Sequence, residues 1–242
     1  MAYTRGTATN IVVGAAALFV TKYGQSIGDS TSTNGTNALG TLPGTVATES
    51  YKTTLTDRYS GVVRNVGYTS NGLDLTFTPT FGDVQVDQLL DTARLFKSGM
   101  TVTLRTSLAE ATLENLLMAI TQKLPTTGTA TAIASWSDTG TLTGTSTATV
   151  ATAANASSGY IDIVSGNLGE YPVERGLIAV GAGPDNASSL NEERIYIAYR
   201  AVSIQNVTIS AKRDNATMFD VEFRLLPDAN GAYGKIIDRT YN

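Results

Sequence analysis

Three stretches of this chain alternate apolar and polar residues with a period of two. Leu73, Leu75 and Phe77 alternate with Asp74, Thr76 and Thr78, and Met100, Val102 and Leu104 alternate with Thr101, Thr103 and Arg105. Phe219, Val221, Phe223 and Leu225 alternate with Asp220, Glu222 and Arg224, the clearest case. Successive side chains of a strand point to opposite faces, so each stretch predicts a strand with one dry and one wet face. Other runs are rich in β-branched and aromatic residues but alternate less cleanly: Ile11–Val20, Gly61–Tyr68, Tyr160–Val164, Leu177–Val180 and Arg194–Ser203. These also read as strands. Val207, Ile209 and Ala211 form one face of a further strand, and Tyr233–Asn242 reads as a tail anchored by Ile236 and Ile237.

Two segments change period. Val86, Leu89, Leu90, Ala93 and Phe96 recur at helical spacing, with Asp83 or Asp87 available as a cap and Lys97 and Gly99 at the far end. That pattern predicts a helix closed by a C-terminal glycine. Ser107 and Glu110 have capping-box spacing and precede Leu113, Leu116, Leu117 and Ile120 on one helical face, with Pro125 beyond. They predict a second helix. Asn71-Gly72 predicts a hairpin turn, because a type I′ turn needs positive φ at both central residues. Pro79 and Gly82 are expected to end the strand that follows. Residues 28–50 and 181–189 read as loops, and residues 126–159 form a Thr-, Ala- and Ser-rich insertion whose only charge is Asp138. The whole, residues 1–242, reads as one domain of α+β class, mainly antiparallel β with two helices and long extended loops.

Composition narrows the chemistry. The chain has no His and no Cys, which removes the commonest general base, the commonest metal ligand and the best side-chain nucleophile. Charged residues make up only 16% of its 242 residues, with Thr, Ser, Asn and Gly in their place, which suits contacts where a charge would be costly to desolvate. The formal charge of −4 and the absence of a basic cluster argue against nucleic-acid binding. The longest apolar run, Ile11–Val20, is too short to span a membrane and lacks the flanks of a signal peptide.

Candidate sites are weak. Close carboxylate pairs suggest a glycosidase in principle, but 21 acids produce such pairs by chance, and Trp136 is the only Trp. Gly181-Ala-Gly183 lacks the third glycine of a phosphate loop. Asp29, Asn34 and Asn37 match no calcium loop. Ser107 has no accompanying base, and Lys212-Arg213 is a turn-flanking pair that could also meet an acidic patch on a neighbouring subunit. No catalytic group, cofactor or metal is expected.

Several stretches together resemble the major tail proteins, or tail tube proteins, of long-tailed bacteriophages (siphoviruses). They are the run from Asn10 through Val20, the block from Arg64 through Ile120, Glu174 through Gly181, and Ser210 through Phe219 with Arg224 through Asp228. The resemblance implies a β-sandwich or partial barrel flanked by helix. It implies a virion structural protein, not an enzyme, assembled in the host bacterial cytoplasm. Hexameric rings would close through their sheets and stack into a tube through which DNA is ejected. The implied partners are other copies of the chain, a tape-measure protein, and tail tip and tail terminator proteins, with DNA in transient, non-specific passage. On that footing Asp74, Asp220 and Glu222 on wet strand faces are candidates for the lumen wall, or else ordinary solvent-facing charges. The loop containing Asp29, Asn34, Asn37, Leu42 and Pro43 is the candidate inter-ring contact. The rival expectations are a carbohydrate-binding or adhesive β module on a virion or cell surface and, further off, a hydrolase using acidic pairs.

Overall fold

A computed structural model describes residues 14–21, 27, 46–59, 62–85, 92–121, 168–169, 171–184, 191–210, 213 and 216–241. The segment with the candidate inter-ring residues Asp29, Asn34, Asn37, Leu42 and Pro43, the proposed strand Tyr160–Val164, the insertion 126–159 with Trp136, the predicted helix stop Pro125, and Lys212 lie outside the described residues. In chain order the elements are β1 (Ala17–Thr21), β2 (Val46–Ala47), α1 (Tyr51–Arg58), β3 (Val63–Asn65), β4 (Thr69–Gln85), β5 (Thr92–Leu108), α2 (Leu113–Ala119), β6 (Arg175–Ala182), β7 (Asn191–Ser203), β8 (Phe219–Leu226) and β9 (Gly234–Tyr241). The expected class holds: mainly antiparallel β, with two helices among the described residues.

The strands form one hydrogen-bonded sheet in the order β3-β1-β6-β7-β8-β5-β4. It forks at β7. The first part of that strand, Asn191–Ala198, pairs with β9, and its end, Arg200–Ser203, pairs with β8. β2 then adds to β9 as the one parallel pair among the described strands. The fork explains why β6 and β7 do not alternate. Leu177 and Ala179 of β6 enter one core cluster while Ile178 and Val180 enter the other. On β7, Ile195, Ile197 and Tyr199 face one cluster and Ala198 and Ala201 the other. Strands buried on both faces read as continuous apolar runs.

The first cluster joins Leu18 and Val20 of β1 to Val102 and Leu104 of β5, the dry face of β8 (Phe219, Val221, Phe223, Leu225) and Met118 of α2. The second packs Phe19, Ile27 and Val63 against Tyr51 and Leu55, the two buried residues of α1. Each large side chain buried in this way stabilises the fold by about 1.5–3 kcal/mol.

Several local expectations are corrected. The helix drawn from Val86 to Phe96 does not form where the chain is described: Thr92–Leu108 is strand, so Phe96, Lys97 and Gly99 are extended. Pro79 and Gly82 do not end β4, which runs through both to Gln85. Proline is tolerated because β4 is an edge strand. Gly82 leaves room for the Phe96 ring of the paired strand, whose Cζ would lie 2.6 Å from an added Cβ. Asn71 and Gly72 have the expected positive φ, 64° and 73°, but they bulge out of β4 instead of turning between two strands. The pairing jumps from Ser70–Ser107 to Leu73–Thr106, and the Thr106 hydroxyl donates to the Gly72 carbonyl at 2.7 Å.

The second helix exists but starts later. Thr112, not Ser107, caps α2 by accepting the Asn115 N–H, while Ser107 remains in β5. Val207–Ser210 lies outside any strand, and the C-terminal tail is a full strand, β9. Helix α1 forms in a stretch, Tyr51–Arg58, where the sequence pattern predicts no element.

Candidate functional site

Three surfaces stand out, all built around β4 and β5. The first is a projecting arm. β8 pairs with β5 from Val102 to Leu108, so among the described residues the Thr92–Thr101 part of β5 has β4 as its only ladder neighbour. Beyond Phe77, β4 continues for eight residues, Thr78–Gln85, a reach of about 27 Å at about 3.4 Å per residue. The pair is kinked by an extra residue, Ser98, between Gly99 (opposite Thr80) and Lys97 (opposite Phe81), and the Ser98 hydroxyl donates to the Thr80 carbonyl at 3.1 Å. The arm mixes polar residues with exposed apolar ones. Phe81 is 56% exposed, Leu95 60%, Phe96 49% and Val84 43%. An isolated two-stranded ribbon is marginally stable in water, and this one also leaves large apolar side chains wet.

The second surface is the wet face of β4, β5 and β8. Cross-strand register aligns Asp74, Arg105 and Glu222 in one row, and Thr76, Thr103 and Arg224 in the next. Asp220 stands opposite Ser107, whose hydroxyl donates to its carboxylate. The three carboxylates singled out in the sequence are therefore brought to one face. Arg105, between two of them, and Arg224 break that face into alternating charge, so its field at a distance is weak. Thr76–Thr103 and Thr78–Thr101 are directly opposed pairs, which extends a neutral hydroxyl-bearing strip out along the arm.

The third surface was not legible in the sequence. Where the sheet forks, a groove of about 350 Å³ opens between the base of the arm and β9. Leu75, Phe77 and Met100 line one wall, Tyr196, Tyr233 and Ile236 the other, and Lys97 and Lys235 also border it. The Tyr233 hydroxyl donates to the Met100 carbonyl at 2.7 Å, across the fork. The turn before β9 is shaped by Asp228, whose Oδ1 accepts the N–H groups of Asn230 and Ala232 at 2.9 and 2.8 Å. Gly234 follows because no side chain fits there: a Cβ would lie 1.9 Å from the Ile197 carbonyl oxygen.

Behind the groove a buried polar node fixes β9. Glu193 of β7 accepts hydrogen bonds from the Tyr51 N–H at 2.9 Å and the Ser50 hydroxyl at 2.7 Å, and it pairs with the Arg239 guanidinium. Arg239 also donates to the Glu49 carbonyl at 2.9 Å and lies 5.3 Å from the centre of the Tyr51 ring. Both charged side chains are 4% exposed. Burial, with Tyr59 next in effect, pushes the Tyr51 phenol above its ordinary range. At the other end of the sheet, Arg64 of β3 donates to Asn115 Oδ1 at 2.5 Å. Burial pulls its guanidinium down to about 10, against a smaller opposing effect of Glu114.

Among the described residues no group of three His, Cys, Asp or Glu side chains is placed to hold a metal, and no helix is long and apolar enough to cross a membrane. No protein-family model matches the chain, and no curated protein matches its sequence.

Proposed function

We propose that this chain is a structural subunit of a phage tail tube. The observation that carries the reading is the arm: a ribbon that extends past β8 with Phe81, Leu95 and Phe96 uncovered. An element that exposes this much apolar surface, on a strand pair too slight to be stable by itself, is accounted for by burial against another molecule. Among the described residues β3 and β4 are the outer strands of the sheet, and joining such edges between neighbours in a closed ring removes their backbone groups from water. The wet face with Asp74, Arg105, Glu222 and Asp220 is proposed to line the lumen. There its mixed charges and threonines offer a passing duplex no fixed site to hold its phosphates.

The same proposal includes the finer expectations from the resemblance. These are a sandwich or partial barrel within each subunit, hexameric rings, stacking through the 28–50 segment, a tape-measure protein inside the tube with tip and terminator proteins at its ends, and a place in the virion. Electron microscopy of the purified full-length chain across protein concentration and salt tests it. Rings or hollow tubes are expected. A chain that stays monomeric in all these conditions, or that turns over a glycan, overturns it.

A further inference from the structure

We propose that the groove at the fork binds a small apolar carboxylate, with the Lys97 ammonium meeting its charge. The proposal concerns a single chain and stands apart from the assembly reading.

The walls of the groove are apolar and partly left wet. Phe77 on the arm side is 51% exposed, and Ile236 on the β9 side is 52% exposed. Met100, Tyr196 and Tyr233, which also line it, are partly buried against the first core cluster. The register of β7 and β9 sets Tyr196 opposite Ile236, and the Tyr233 hydroxyl is tied to the Met100 carbonyl. The groove is therefore formed before any ligand arrives. Its volume of about 350 Å³ falls at the lower end of the range for small-molecule sites, roughly 300–1,000 Å³. Such sites are lined, as this one is, by aromatic and aliphatic side chains with few polar groups. That size suits one small molecule better than an element of a second chain, which needs a much larger contact.

Charge narrows the ligand. The chain carries a formal charge of −4, yet none of the described residues lining the groove is acidic, and two are lysines, Lys97 and Lys235. The Lys97 ammonium donates a hydrogen bond to the Met100 sulfur at 3.2 Å. A thioether is a weak acceptor, so most of the donor capacity of this ammonium is open to a better partner. Met100 itself lines the groove, which places the charge at the edge of the apolar surface. A carboxylate at that point gains a charge-assisted hydrogen bond. The ring or alkyl chain attached to it covers Phe77 and Ile236. A cation would meet like charge, and an uncharged apolar molecule would leave Lys97 with water and the sulfur.

Calorimetric titration of the full-length chain with naphthoate, and with naphthamide as a probe of nearly the same shape and no charge, tests the proposal. Naphthoate should bind at a single site in each chain, at least about threefold more tightly than naphthamide, the effect of one exposed ion pair. Added salt should narrow that preference. Lys97→Met, at an exposed position, should abolish the preference and leave naphthamide binding unchanged. Ile236→Glu, also at an exposed position, should weaken both probes. Thermal unfolding of each variant verifies that it folds. Absence of naphthoate binding, or equal affinities for the two probes, overturns the proposal and requires only the parent chain. A preference that survives Lys97→Met, or naphthoate binding untouched by Ile236→Glu, overturns it as well.

Discussion

The hydroxyl of Tyr233 is bonded to the carbonyl of Met100, and this single contact spans the fork of the sheet. Tyr233 precedes β9 and Met100 lies on β5 where the arm begins. The bond therefore ties the arm base to the far wall of the groove, beside the packing of Met100, Tyr196 and Tyr233 on the first core cluster. Tyr233→Phe removes only the oxygen. Loss of a half-buried hydrogen bond should lower stability by about 0.5–1.5 kcal/mol, measured by urea unfolding. Assembly should weaken more than stability, because the arm base loses that tie. An unchanged onset of assembly would show that the arm is held by other means.

Glu193 and Arg239 form the buried link between β7, β9 and the start of α1. Removing one partner leaves the other buried and uncompensated. Arg239→Met or Glu193→Ala alone should cost about 3–5 kcal/mol, and the double replacement less than the sum of the two. Chemical unfolding of the three variants checks this. Additive losses would mean that the pair is not coupled.

Two exposed ion pairs give a pH dependence of known sign. A hydrogen bond from Arg194 holds the Asp238 carboxyl below its usual range, and one from Arg200 does the same for Glu174. A carboxyl whose pKa is lower folded than unfolded stabilises the fold above its unfolded value, near 4. That stability is lost as pH falls through the depressed folded value. Asp238 is 46% exposed and Glu174 38%, so each pair is worth only about 0.2–1 kcal/mol after solvent screening. Asp238→Asn and Glu174→Gln should lower Tm slightly at pH 7, by an amount that shrinks as pH falls below about 4. A deficit that does not shrink would trace to packing instead of charge.

Arg105 stands between Asp74 and Glu222 on the wet face. Arg105→Glu would make that row uniformly acidic at an exposed position. Monomer stability should change by no more than about 1 kcal/mol. In assembled tails the DNA-facing reading predicts altered ejection kinetics with a steeper dependence on salt. Ejection indistinguishable from the parent would put this face on the outside of the assembly.

Gly234 admits no side chain beside the Ile197 carbonyl. Gly234→Ala should displace the start of β9, and with it the Tyr233–Met100 bond and the shape of the groove. Hydrogen exchange should speed up across Lys235–Ile237 and across Met100. Parent-like protection there would mean that the backbone accommodates the methyl group.

The alternating residues of 73–77, 100–104 and 219–225 determined strand type and the split between dry and wet sides. Leu73, Leu75, Met100, Val102, Leu104 and the apolar residues of 219–225 meet the first core cluster, whereas Phe77 is 51% exposed, so the local contrast marks a face without saying how far its cover extends. The grouping of Asp74, Asp220 and Glu222 as wet residues followed from the same rule. Their placement on a single face, with Arg105 between two of them, was decided by cross-strand register, which pairs residues more than a hundred positions apart. Phe96 fits a helical spacing, but its ring is placed by Gly82 across the arm, so pairing overrode periodicity. Helix α1 is threonine-rich and weak by propensity. It is held at its start by Glu193, 142 residues distant from Tyr51. The fork, and the groove it opens, depend on β7 changing partners between Ala198 and Arg200. A local pattern records which side of a strand is dry; it carries no information about which distant strand provides the dryness, and that choice belongs to the tertiary structure.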